Sequence, residues 1–105
     1  MKLLIILSIE EYADEVRRIL VNQRIPIYSE TEIKGCRCDT KNKAADLTNW
    51  FANTDTTVYS HLFFAFQDET LVEQLLSEVD HYNRMQGEDQ PNPLHAYQLN
   101  VEKSV

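Results

Sequence analysis

The chain has 105 residues and a net charge of −7, and its only glycines are Gly35 and Gly87. A chain of this length predicts one domain, residues 1–105. Two glycines cannot supply a GxGxxG dinucleotide turn or a GxxxxGK(S/T) phosphate loop. The acidic charge disfavours binding to nucleic acid, because like charges repel. No window approaches the roughly 18 apolar residues that cross a membrane, so direct membrane insertion is not expected.

The first part of the chain predicts a strand, a helix and a second strand. Residues 3–7 are a continuous apolar run, which is typical of a strand buried on both faces. Ser8 and Glu11 fit a capping box, so we expect the first helix to begin at Ser8. Pro26 ends this helix, because the residues before a proline disfavour helical backbone. A second strand is expected over residues 27–38.

The second part predicts a long loop, a strand, a helix and a last strand. Residues 39–56 are a polar stretch, and structureless segments of that length are typically functional or mobile loops. Residues 58–66 form the third predicted strand. Asp68 is expected to cap the following helix, and Gly87 to end it in the left-handed region. Residues 94–101 alternate in polarity and predict the fourth strand.

The order βαββαβ predicts an α+β, ferredoxin-like fold, in which two helices cover one face of a four-stranded antiparallel sheet. Both faces of the third strand are apolar: Phe63 and Ala65 alternate with Phe64 and Phe66. The face without helices therefore needs a cover, and another copy of the chain is the simplest one. We expect an oligomer.

Two segments resemble the PII signal-protein superfamily, namely residues 11–20 (EYADEVRRIL) and 29–35 (SETEIKG). The resemblance implies a cytoplasmic, regulatory binding protein rather than an enzyme. It also implies a compact homotrimer, similar in fold to the divalent-cation-tolerance proteins, with nucleotide bound in clefts between subunits. The 39–56 loop would contact a target protein, such as a membrane transporter or a component of a heavy-metal efflux system.

The segment that would bind phosphate in that family departs from the family pattern. The PII turn resembles GxGDGK, whereas residues 84–93 read RMQGEDQPNP, with one glycine, no lysine and two acids. These acids would repel a triphosphate, which argues against ATP or ADP as the standard ligand. Sensing of an adenine nucleotide remains the alternative function, with Gly35 and Gly87 as ligand-binding residues.

Cys36 and Cys38 form the sharpest local motif, because residues two apart on a strand point to the same side. If Cys36 lies opposite Tyr59, then His61 lies opposite Lys34 and shares a face with both thiols. Two sulfur donors and one nitrogen donor suit zinc or copper(I). The other interpretation is that both cysteines are small strand residues and His61 contacts a neighbouring subunit. Without a secretion signal, free thiols favour a reducing cytoplasm.

Trp50 and Phe51 are an aromatic pair within the polar 39–56 loop. They either pack back on the domain or bind a partner, since aromatic side chains dominate interface energetics. A third function also stays open, that of a small ferredoxin-like enzyme of the dimeric α/β-barrel type that uses a histidine. A dimer would favour this enzyme over a PII-like trimer.

Overall fold

The computed structural model describes residues 1–36, 58–87 and 92–105. These residues form four strands and two α-helices in the order βαββαβ. The elements are β1 (Lys2–Ser8), α1 (Ala13–Asn22), β2 (Ser29–Glu32), β3 (His61–Gln67), α2 (Glu69–Arg84) and β4 (Leu94–Asn100). The sheet order is β2-β3-β1-β4 and every neighbouring pair is antiparallel, which confirms the ferredoxin-like arrangement.

The strand register divides the sheet into two faces. Ile6 lies opposite Phe63 on β3 and opposite Ala96 on β4, so the even residues of β1 share a face with α1 and α2. The core lies between this face and the helices. Its buried side chains include Leu4, Ile6, Val16, Ile19, Leu20, Phe63, Val72, Leu75, Val79 and Leu94.

The second face, here called the open face, is not covered by either helix. It consists of the odd-numbered residues of β1, β2 and β4 and the even-numbered residues of β3. Two of its large apolar side chains are strongly exposed, Phe66 at 51% and Leu99 at 47%. The prediction that both faces of the third strand are apolar is therefore confirmed.

The start of α1 differs from the prediction. Ser8 is the last residue of β1, and a 3₁₀ turn (Glu10–Tyr12) separates it from α1. The capping box at Ser8 is wrong, because the sheet takes up the Ser8 backbone instead: its carbonyl accepts a hydrogen bond from the Ser60 N–H at 3.0 Å. Tyr12 lies at the N-cap of α1, with no side-chain hydrogen bond.

The second strand is shorter than the predicted 27–38. β2 covers only Ser29–Glu32 at the edge of the sheet, and all of its residues are exposed. One further bond, from the Ile33 N–H to the Ser60 carbonyl at 2.8 Å, follows it. An edge strand pairs with one neighbouring strand, so it ends where its hydrogen bonds to that neighbour end.

Both predicted ends of the second helix are confirmed. The Asp68 side chain at the N-cap of α2 accepts a hydrogen bond from the Leu71 N–H at 2.9 Å. Gly87, just beyond the helix, has a φ of 78°, which is the left-handed region that favours glycine. None of the helices in the described part of the chain is both long and apolar enough to span a membrane.

Candidate functional site

Three segments meet at one end of the sheet. Residues 33–36 follow β2, residues 58–60 precede β3, and residues 92–93 precede β4. The first two segments also flank the 37–57 stretch, so we call these three segments together the loop base. Close packing connects the first segment to the second, and a hydrogen bond connects the second to the third.

Gly35 packs directly against the segment that precedes β3. A β-carbon at this position would overlap Val58 Cγ1 and would lie 2.7 Å from the Tyr59 carbonyl oxygen. Real side chains do not approach this closely, so a glycine is required for the two backbones to meet. The requirement arises from close approach, and it explains why one of the two glycines of the chain lies here.

Tyr59 connects the loop base to the segment before β4. Its side chain is buried, and its hydroxyl donates to the Asn92 carbonyl oxygen at 3.2 Å. Tyr59 therefore contacts Gly35 through its backbone and Asn92 through its side chain. Tyr59 is not among the site residues predicted from the sequence. The signal in the sequence is the tyrosine itself, at the start of the third predicted strand, since a buried tyrosine hydroxyl usually has a hydrogen-bond partner.

Asn83 holds the segment before β4 against α2. Its side-chain amide donates to the Leu94 carbonyl oxygen at 2.8 Å, and its side-chain oxygen accepts from the Leu94 N–H at 3.2 Å. This two-point contact mimics a backbone pairing and fixes the position at which β4 begins. Asn83 is a second residue that sequence reasoning missed, because its partner lies across a turn rather than within the helix.

A small polar cluster lies on the helix-covered face beside the loop base. His61 is buried, and its Nδ1 lies 3.1 Å from the Ser60 hydroxyl oxygen. Ser8 lies opposite His61 in the sheet, and its hydroxyl is buried without a hydrogen-bond partner among the described residues. Burial of Ser8 and His61 makes this pair part of the interior, so it does not offer a surface to a large ligand.

Two of the three predicted metal ligands, Cys36 and His61, lie among the described residues. His61 lies opposite Glu32 instead of Lys34, so the assumed register is wrong by two residues. Cys36 is exposed beyond the end of β2, and its thiol lies 3.7 Å from the Lys34 carbonyl oxygen. Within residues 1–36, 58–87 and 92–105, no group of three potential ligands could hold a metal ion. The cause is the early end of β2, which leaves Cys36 outside the ladder that contains His61.

Of the remaining predicted site residues, only Gly87 is described. A β-carbon added at Gly87 would meet no described heavy atom within 4 Å beyond its chain neighbours, and its positive φ by itself favours glycine. Its predicted role in ligand binding stays a prediction. Cys38, Trp50 and Phe51 lie outside the described residues. Their predicted roles in metal and partner binding therefore stay predictions.

The charges near the loop base are unevenly distributed. On β2, Glu30 is held by Arg17 of α1 in a two-point contact at 2.6 and 2.9 Å. The hydrogen bond from Arg17 holds the pKa of Glu30 below its usual range, although burial of the carboxyl opposes this shift. Arg17 forms ion pairs with both Glu30 and Asp14. Lys34, exposed beside Gly35, is the described cation that a ligand at the loop base could contact.

No family model matches the chain, and no curated protein matches it. Among solved structures, the chain is similar to CPII, a nitrogen regulatory PII-like protein from Thiomonas intermedia K12, bound to ADP, AMP and bicarbonate. The two share 14% sequence identity at a TM-score of 0.53, over 99% of this chain and 93% of that chain. The fold is PII-like.

The PII-like fold confirms the resemblance that two short segments predicted. Residues 29–35 form β2 and its continuation into the loop base, and residues 11–20 include most of α1. The similarity is one of fold at this level of identity, and the ligands named for CPII belong to CPII.

Proposed function

We propose that this protein is a PII-like regulatory protein, not an enzyme, that binds an adenine nucleotide at the loop base. The observation that carries the proposal is the junction of Gly35, Tyr59 and Asn92, which joins the ends of the 37–57 stretch to the segment before β4. A ligand seated on this junction would touch the base of the loop, and so could change what that loop contacts. The solved structure of the PII-like protein CPII, bound to ADP and AMP, supports this choice of ligand.

The charge of the chain bears on which nucleotide binds. Lys34 is exposed beside Gly35, whereas the sequence between α2 and β4 includes the acidic residues Glu88 and Asp89. Each added phosphate brings more negative charge toward an acidic protein, and like-charge repulsion grows with it. We therefore expect AMP and ADP to bind more tightly than ATP.

The homotrimer is the second part of the proposal. The open face exposes Phe66 and Leu99, and contiguous exposed apolar surface on a sheet marks a protein–protein contact. Covering this face with two further copies would place each loop base near a neighbouring subunit. Regulation would then pass from the nucleotide to a partner through residues 39–56, with Trp50 and Phe51 as the side chains that contact it.

Isothermal titration with AMP, ADP and ATP tests the nucleotide site. The wild-type protein should bind AMP or ADP at micromolar concentration. Tyr59→Phe should weaken binding by about 2- to 10-fold, because loss of a typical hydrogen bond costs about 0.5–1.5 kcal/mol and here loosens the junction with Asn92. Tyr28→Phe is the matched control, since Tyr28 packs against the core through its ring.

Two results would contradict the proposal. The first is the absence of heat with all three nucleotides at millimolar concentration. The second is an equal loss of affinity in Tyr59→Phe and Tyr28→Phe, which would show that the junction has no special role. A response to zinc or copper through Cys36, Cys38 and His61, and a link to an efflux system, stay predictions. Native mass spectrometry after metal addition tests the first of these.

A further inference from the structure

The open face carries no Asp, Glu, Lys or Arg among the described residues. It consists of aliphatic and aromatic side chains, two hydroxyl residues on β2, and His95 and Tyr97 on β4. The chain as a whole has a net charge of −7, so other contacts between copies would bring like charges together. Two copies of this acidic protein can meet through an uncharged face without like-charge repulsion. We therefore take a second copy of the chain as the occupant of the open face.

His95 is the residue of this face that can change its charge near neutral pH. It lies opposite Leu7 of β1, and its ring packs edge-on against Tyr97 with centroids 4.5 Å apart. Both side chains are half-buried before any copy covers them. Beyond Leu7, the open face continues into the apolar side chains of β3, such as Leu62.

We infer that the open face is the contact between copies of this chain and that protonation of His95 opens this contact. The inference rests on the proposed homotrimer and adds its regulation by pH. A copy that covers the open face removes more water from His95, and an imidazolium ion in an apolar contact is costly to desolvate. Protons therefore bind preferentially to the separated subunits.

Among the described residues, the groups around His95 offer no compensation for that charge. No described carboxylate shares the open face with it, and the titratable neighbour Tyr97 stays neutral because burial raises its pKa. Burial already lowers the pKa of His95 in the single chain. The separated subunit therefore already holds the pKa of His95 below the ordinary histidine value of about 6.5. Assembly does not respond to His95 above that lowered pKa, and protonation opposes assembly as the pH falls below it.

Sedimentation equilibrium of the full chain at several pH values between about 8 and 5 tests the inference. Wild type should assemble at the alkaline end, and at the acidic end its dissociation constant should rise by up to about tenfold per subunit for each unit by which assembly lowers the pKa of His95. His95→Gln should remove this dependence. His81→Gln is the matched control, since His81 is exposed on α2, and it should behave as wild type.

The outcomes separate this inference from the proposal it rests on. An oligomer that ignores pH, or one in which His95→Gln keeps the wild-type pH response, overturns the inference and leaves the trimer. A monomer at pH 8 overturns both the inference and the proposed trimer, while isothermal titration with nucleotides still tests the proposed ligand. Loss of helical circular dichroism in step with dissociation would identify unfolding and would also overturn the inference. If His95→Gln misfolds, His95→Leu must show the same loss of pH response.

Discussion

At the scale of single residues, the loop base depends on a close approach that few side chains permit. Gly35 and Gly87 each lie a few residues beyond the end of a secondary-structure element, yet they are glycines for different reasons. Gly35 leaves room for Val58 and the Tyr59 carbonyl, whereas Gly87 adopts a positive φ where a β-carbon would meet no described heavy atom within 4 Å. The difference predicts different consequences of the same substitution.

Gly35→Ala should lower the free energy of unfolding by about 1–3 kcal/mol, which is the usual cost of overpacking. It should also weaken nucleotide binding, because the added methyl group separates Gly35 from Tyr59. Gly87→Ala should cost about 1–2 kcal/mol, through its left-handed backbone alone. Urea unfolding and isothermal titration measure the two effects. Equal nucleotide affinity in both variants would contradict a role for the Gly35 contact.

At the scale of secondary-structure elements, Asp68 and Ser8 are polar residues that each precede a helix, and only Asp68 caps its helix. Asp68 accepts a hydrogen bond from the first turn of α2, whereas Ser8 is buried at the end of β1. Their sequence contexts look alike, because each is a short polar residue that follows an apolar strand. The sheet decides between them, since the Ser8 backbone belongs to the β1 ladder.

Substitution by alanine should distinguish these two residues. Asp68→Ala should lower the free energy of unfolding by about 1 kcal/mol, the typical loss for an N-cap. Ser8→Ala should be neutral or slightly stabilising, because a buried hydroxyl without a partner among the described residues is itself costly. Thermal or urea unfolding measures both. A loss in Ser8→Ala as large as that in Asp68→Ala would mean that the Ser8 hydroxyl makes a stabilising hydrogen bond.

At the scale of the whole molecule, the two faces of the sheet have separate roles. The helix-covered face holds the core, and the open face remains apolar without a cover from the described part of its own chain. The open face and the loop base consist of different residues, so a substitution can be placed in one without changing the other. That separation makes the proposed oligomer directly testable.

Phe66→Glu should convert the oligomer to monomers, because it places a charge within the apolar open face. Far-ultraviolet circular dichroism should stay unchanged, since the Phe66 side chain is 51% exposed in the single chain. Val21→Glu is the control, because Val21 is an exposed apolar residue on α1, at 67%. Light scattering gives the mass of each variant. An unchanged oligomer in Phe66→Glu would show that the contact lies elsewhere.

The sequence by itself determined the order of elements, the fold class and both ends of α2. These features are local: the polarity period of a segment, the cap at Asp68 and the positive φ at Gly87 depend on few neighbouring residues. The same local signals predicted the apolar open face. Successive residues of β3 point to opposite faces of the sheet, so the sequence of this strand gives the polarity of both faces. The resemblance in residues 11–20 and 29–35 added the PII-like fold.

The tertiary structure alone decided where strands end and which residues meet. A register shift of two residues keeps every side chain on its predicted face, so the sequence pattern could not tell whether His61 lies opposite Lys34 or Glu32. Likewise, Gly35, Tyr59 and Asn92 are far apart in sequence, and their junction depends on how β2, β3 and β4 align. Long-range pairing decides such contacts, and local periodicity carries no information about it.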